Sequence, residues 1–204
     1  GPVLNHGPAG PAIVKFLEDS AAPLRSKAAE ALGSLDYAPA IPELGKLLDD
    51  GDPAVRKAAL SALGRMGAPR TLFLRALRDQ DPGVRSAAAE TLGNLQDQEL
   101  APESVELMKD IAPGVRNSAF DALAALGVSS RTAEFIQALK DEDASVRRKA
   151  AEILGKARLN AAASEIAGLL ADPEASVRAS AAMALGGLAD KSLVGSLTKA
   201  LGDE

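Results

Sequence analysis

The chain contains no cysteine and no tryptophan, and it has one histidine, one tyrosine and four phenylalanines in 204 residues. Without cysteine there are no disulfides, thiolate metal sites or cysteine nucleophile, and the redox compartment stays open. The lone histidine, His6 in the tail VLNHGPAG, cannot build a histidine metal centre and reads as an exposed tail residue. No serine lies in a GxSxG context or beside a histidine base, so hydrolase chemistry has no nucleophile. The segment GGLADKS at 186–192 places a lysine before a serine but lacks phosphate-loop spacing, and reads as a helix end and turn. No run approaches the roughly 18 apolar residues of a membrane helix. Aromatics make up only 2% and the net charge is -5, so the stacking platforms and clustered cations of nucleic-acid binders are missing. Neither nucleic acid nor membrane insertion is therefore expected, and no cofactor.

What the chain does have is repetition. DPAVRKAALSALG at 52–64 returns as DPGVRSAAAETLG from residue 81, and Arg25, Arg56, Arg85, Arg116, Arg147 and Arg178 follow at intervals of 31, 29, 31, 31 and 31 residues. A fixed period in this range marks a solenoid, in which each unit buries its apolar face only by stacking on its neighbours. With 47% apolar and 25% charged residues, the chain has ample material for such a core. One elongated domain over 1–204 is expected: a tail at 1–8, units at about 9–35, 36–66, 67–96, 97–127, 128–158 and 159–189, and a half-unit cap at 190–204.

With the arginine as position 0, each column has a readable role. Position -6 is always aspartate: Asp19, Asp50, Asp79, Asp110, Asp141 and Asp172, with Asp203 continuing the series. Position -1 is leucine or valine, +3 always alanine and +7 always leucine, which lie on one face of a helix. The alanines imply close helix contact. Asp52, Asp81 and Asp143 are placed as N-caps, with proline following in the first two. This second helix runs from about -3 to +10. Upstream, AIPELGKLLDD, ESVELMKD, AEFIQALKD and SEIAGLLAD read as amphipathic first helices, and no strand pattern occurs. The Asp/Arg columns are read as a structural ladder at the joints between units, with the arginines reaching backbone carbonyls or a neighbouring aspartate. As exposed pairs they would contribute only about 0 to 1 kcal/mol each.

The pattern DPxVRxxAAxxLG, with aspartate closing the preceding helix, resembles HEAT repeats of the short bacterial and archaeal type named after the phycobilisome lyase subunits. It departs from that pattern in a third unit two residues short, in Ala124 where glycine is usual at +8, and in Ala112 in place of the cap before Pro113. The resemblance implies an all-α, right-handed superhelix with first helices on the convex side and second helices on the concave side. It also implies a binding role more often than an enzymatic one. The paired His-Glu dipeptides of HEAT-type deoxyhypusine hydroxylases are missing, as is the basic, aromatic concave face of the alkylpurine glycosylases.

On a concave second-helix face, positions +1, +5 and +9 form a ridge. Its +5 column reads Glu30, Ser61, Glu90, Asp121, Glu152 and Met183; it is flanked by Lys57 and Arg65, by Asn94 and Asn117, and by Arg148, Lys149 and Lys156. The expectation is a non-catalytic scaffold or adaptor, monomeric, holding a segment of another protein on this ridge. Basic partner residues would face the acids, and acidic ones the Arg148 to Lys156 cluster. Against this stands a plain solvated face with i,i+4 pairs among Arg148, Glu152 and Lys156. The alternatives are a bilin lyase-like or chaperone-type subunit with its site near Phe120, or a module clipped from a larger regulatory protein. Phe120 and Leu60 fill the +4 column where the other units carry alanine, and Phe120 is read as filling a gap left by the neighbouring short unit. A cytoplasmic location is expected, with export left open because Gly1-Pro2 resembles a protease scar.

Overall fold

The computed structural model describes residues 9–96, 99 and 101–188. The expected tail at 1–8, the half-unit cap at 190–204 and Asp203 fall outside them. Twelve α-helices run through the described residues, with no strand among them: α1 (Ala9–Val14), α2 (Ala22–Ser34), α3 (Ile41–Lys46), α4 (Pro53–Arg65), α5 (Thr71–Ala76), α6 (Pro82–Leu95), α7 (Ala101–Leu107), α8 (Pro113–Leu126), α9 (Thr132–Ala138), α10 (Ala144–Lys156), α11 (Ala163–Gly168) and α12 (Ala175–Leu188). Odd-numbered helices are the short first helices and even-numbered ones the longer second helices.

Each second helix begins where the sequence places it. Asp52, Asp81 and Asp143 accept hydrogen bonds from the backbone N–H groups of Ala54, Val84 and Ser145. Ala112 supplies no side-chain cap. Each second helix ends at +9 or +10, as the sequence places it, but the backbone shape that stops it was not legible. Asp36, Gly67, Gln96, Gly127 and Arg158 all occupy position +11 with positive φ. At three of these ends the next residue donates back to the +7 carbonyl: Tyr37 to Leu32 at 3.1 Å, Ala68 to Leu63 at 3.0 Å and Leu159 to Leu154 at 3.2 Å. At those three ends this is a left-handed helix stop, made by an aspartate, a glycine and an arginine, so no residue type marks it. In the short third unit no 3-10 turn precedes α5, unlike α3, α9 and α11.

The valine, alanine and leucine columns form the core. Val55, Val84, Val115, Val146 and Val177 are all 1% exposed or less, as are Ala59, Ala88, Ala119, Ala150 and Ala181. Consecutive second helices pack along their length, whereas consecutive first helices barely meet. Clefts accordingly open between α5 and α7 and between α7 and α9. The side with the closer spacing is the inside of a curve, so the second helices line the concave face.

The close spacing rests on glycine at +8. A Cβ on Gly33, Gly93 or Gly155 would stand 2.6–2.7 Å from the Cα of Ala62, Ala122 or Ala184 in the next second helix. The joint between α8 and α10 is different. Ala124 takes the glycine position, buried Ile153 stands in the column held elsewhere by alanine or threonine, and these two helices pack less closely than any other adjacent second-helix pair. The apolar core divides within this same unit, Val115 and Ala119 belonging to one half and Phe120 and Leu123 to the other.

Candidate protein-binding surface

The Asp/Arg columns form the spine that holds the layers in register. Each arginine from Arg25 to Arg147 donates through Nη1 to the backbone carbonyl of its own unit's aspartate and reaches the carboxylate of the next unit's. Four rungs are bidentate, Nε and Nη2 each meeting one carboxylate oxygen: Arg25–Asp50, Arg56–Asp79, Arg85–Asp110 and Arg147–Asp172, with Nε to Oδ2 at 2.7 Å in every case. The Oδ1 of each aspartate also accepts the backbone N–H two residues on, closing the turn before the second helix. The rung at the loose joint is incomplete: Arg116 reaches Asp141 only through Nη2, at 2.6 Å, and its buried Nε has no partner. Arg178 bonds the carbonyls of Asp172 and Pro173.

The sequence treats these as exposed pairs, and the structure corrects that. The Arg56 and Asp79 side chains are 6% and 11% exposed and those of Arg147 and Asp172 12% and 4%, so water screens them little. The arginine hydrogen bond, ahead of the opposing effect of burial, holds the carboxyls of Asp50, Asp110 and Asp172 below their ordinary value. For Asp79 burial is the largest single influence and pushes upward, but Arg56 and the Asp81 N–H together outweigh it. The folded chain thus binds these protons less readily than the unfolded one. The stabilisation is complete above the ordinary carboxylate value of about 3.9 and is lost as pH falls through the depressed folded values. Thermal melts followed by far-ultraviolet circular dichroism should be flat from about pH 5 to 8 and fall steeply below about pH 4; a loss already present near pH 6 would contradict the ladder.

The ridge lies on the concave face, and the structure redistributes its charge. Lys57, Arg65, Glu90, Asn94, Asp121, Lys156 and Met183 are exposed, while Asn117, Arg148 and Glu152 are half-buried. A link that sequence reasoning missed runs from +2 of one unit to +5 of the unit before. Ser118 donates to Glu90 at 3.2 Å, Lys149 pairs with Asp121 at 2.8 Å, and Ser180 donates to Glu152 at 3.1 Å. Within units, Lys27 pairs with Glu30 at 2.6 Å and Arg148 with Glu152 at 2.8 Å. No ion pair forms between Glu152 and Lys156. Three of the four acids in the +5 column are therefore paired with a cation: Glu30 and Glu152 within their own helices, the latter as the sequence allowed, and Asp121 by Lys149 one layer along, a relation a column-by-column reading does not show. Asn117 donates to Ser145 at 2.9 Å and leaves its Oδ1 buried without a partner.

Phe120 is 1% exposed, and its ring lies 5.3 Å from that of Phe135 at an interplanar angle of 50°. Its partner is thus in the following unit, α9, and not in the short preceding one. Phe120 also floors a cleft of about 360 Å³ between α7 and α9, with Val105 and Met108 beside it and Lys109, Glu134, Lys140 and Asp141 at its rim. Among the described residues no group of three or more His, Cys, Asp or Glu side chains could hold a metal ion, and no helix is long and apolar enough to cross a membrane.

The stack of helix pairs agrees with the sequence comparison, in which the profile of HEAT repeats matches residues 10–73, 71–135 and 132–204. The chain belongs to the HEAT-repeat family. Its fold is shared by the Escherichia coli protein YIBA (TM-score 0.70, 19% identity, covering 95% of this chain and 86% of that one). It is also shared by the complex of CpcE and CpcF of phycocyanin lyase from Nostoc sp. PCC7120 (TM-score 0.62, 23% identity, 97% and 82%). A designed armadillo repeat protein in complex with the peptide (KR)4 is similar as well (TM-score 0.56, 18% identity, 87% and 98%). No curated protein matches the chain in sequence. At these identities the likeness concerns the fold: a HEAT solenoid, an architecture typical of protein-interaction scaffolds, on which function resides in the surface residues of each chain.

Proposed function

We propose that this HEAT solenoid is a non-catalytic adaptor that holds a segment of another protein along its concave second-helix ridge. The observation that carries the reading is the ridge itself, a row of polar and charged side chains that crosses the first five layers and gives way to exposed Met183 in the sixth, with Lys57, Arg65, Glu90, Asn94 and Lys156 exposed to a ligand. Two of the structural neighbours are themselves assemblies with a peptide or another protein chain, which supports a protein partner. The test is affinity capture with two charge-reversal variants, Glu90→Lys/Asp121→Lys and Lys57→Glu/Arg65→Glu. All four side chains lie on the surface, so neither variant should shift the melting temperature by more than about 2 °C. A protein retained by the parent chain and lost from one of the two places the partner on the ridge; one retained equally by both removes it from this surface.

A second reading is a lyase-like or chaperone-type subunit, favoured by the cleft over Phe120. Its volume of about 360 Å³ lies at the low end of small-molecule sites, and its apolar floor with a rim of two lysines and two carboxylates suits a ligand with an apolar body and polar groups at its edge. A visible absorbance carried through purification from the source organism would favour it.

A further inference from the structure

We infer that the segment held by the ridge is acidic, and that one of its carboxylates seats in a small depression beside Arg65. This rests on the adaptor reading and adds the chemistry of the partner. Once the internal pairs are formed, the charges left on the ridge are unequal. Among the described residues Lys57, Arg65 and Lys156 make no ion pair, against a single carboxylate, Glu90, which accepts from the Ser118 hydroxyl. The face is thus cationic on a chain whose net charge is -5.

The cations are also placed to be read. A concave depression of about 180 Å³ lies between α2 and α4, floored by Gly33, Ala58 and Ala62 and walled by Glu30, Ser61 and Arg65. Its floor is low because glycine and alanine are what the close helix contact demands. Arg65 spends one donor on the Ser34 hydroxyl, at a long 3.4 Å, and keeps the rest of its guanidinium fork for a ligand. Glu30 stands in the wall with Lys27 against it at 2.6 Å. A carboxylate is the group that accepts two parallel bonds from such a fork. Lys57 lies two helical turns away on the same helix, and Lys156 stands three layers along, about 30 Å at the usual 8–10 Å helix spacing. An extended segment spans that distance in about nine residues. A protein fits better than a nucleic acid, because the ridge offers no aromatic ring for base stacking.

The test is fluorescence anisotropy with the intact chain and three labelled probes of similar length: an oligo-glutamate of about 12 residues, an oligo-lysine and a single-stranded oligothymidylate. The glutamate probe should bind. Its affinity should weaken at higher salt, fall about tenfold in Arg65→Ala as a charge-assisted pair is lost, and stay unchanged in Lys46→Ala, a substitution on first helix α3. In the capture experiment Lys57→Glu/Arg65→Glu should lose the partner while Glu90→Lys/Asp121→Lys keeps it. Preference for oligo-lysine, failure to bind any probe, or oligothymidylate binding with the same Arg65 dependence would each overturn the inference. Loss of the captured protein in Glu90→Lys/Asp121→Lys alone would also overturn it, yet leave the adaptor reading standing; equal retention by both variants would end the adaptor reading itself.

Discussion

Gly93→Val should cost about 3 kcal/mol and lower the melting temperature by about 6–12 °C. A Cβ at Gly93 would stand 2.7 Å from Cα and 3.1 Å from Cβ of Ala122, and a backbone atom cannot rotate away. Helix α6 would have to back off from α8, opening the best-packed joint of the stack. Intrinsic helix propensity runs the other way, favouring a replacement of glycine by up to about 1 kcal/mol, so the sign of the result separates packing from propensity. Gly64 is the internal control. The atom nearest to its Cβ is the Thr91 methyl at 2.7 Å, which can turn aside, so Gly64→Ala should be far milder. Thermal melts of the two variants decide the matter; a Gly93→Val protein as stable as its parent would mean that the close approach carries no energy. Ala124 shows how the fold absorbs such a change: where it replaces glycine, α8 and α10 stand less closely packed and the arginine rung is half made.

Asp79→Ala should destabilise by about 3 kcal/mol, because it strands a buried cation. Arg56 is 5% exposed and loses carboxylate bonds of 2.7 and 2.6 Å, while the Asp81 N–H loses its acceptor at 2.8 Å. The double replacement Arg56→Met/Asp79→Leu removes the stranded charge along with its partner and should recover most of the loss, the expected behaviour of a buried pair. Urea unfolding of the two variants measures it. If Asp79→Ala unfolds within about 0.5 kcal/mol of the parent, the rung is a surface pair after all. Since coupling in a solenoid runs between nearest neighbours, the damage should concentrate at the α4–α6 joint, with amide exchange accelerated there first.

The 31-residue arginine spacing by itself determined the stacked helix pairs, and the offsets -1, +3 and +7 determined the face each second helix buries, because both follow from local periodicity that every unit repeats. The N-caps at Asp52, Asp81 and Asp143 were legible for the same reason: a cap is a contact between residues two or three apart. The left-handed helix ends at +11 were not, since Asp36, Gln96 and Arg158 share a backbone shape and no side chain. Only the tertiary structure decided whom each repeated residue meets. It sends each arginine from Arg25 to Arg147 to the next unit's aspartate, sets Phe120 against Phe135, loosens the joint at Ala124 and Ile153, and pairs Asp121 of the acidic column with Lys149, so that among the described residues the ridge keeps three cations without an ion pair. A column records what each unit carries at one position. The charge left on a surface depends on contacts between different columns of adjacent layers, and those exist only once the layers are stacked.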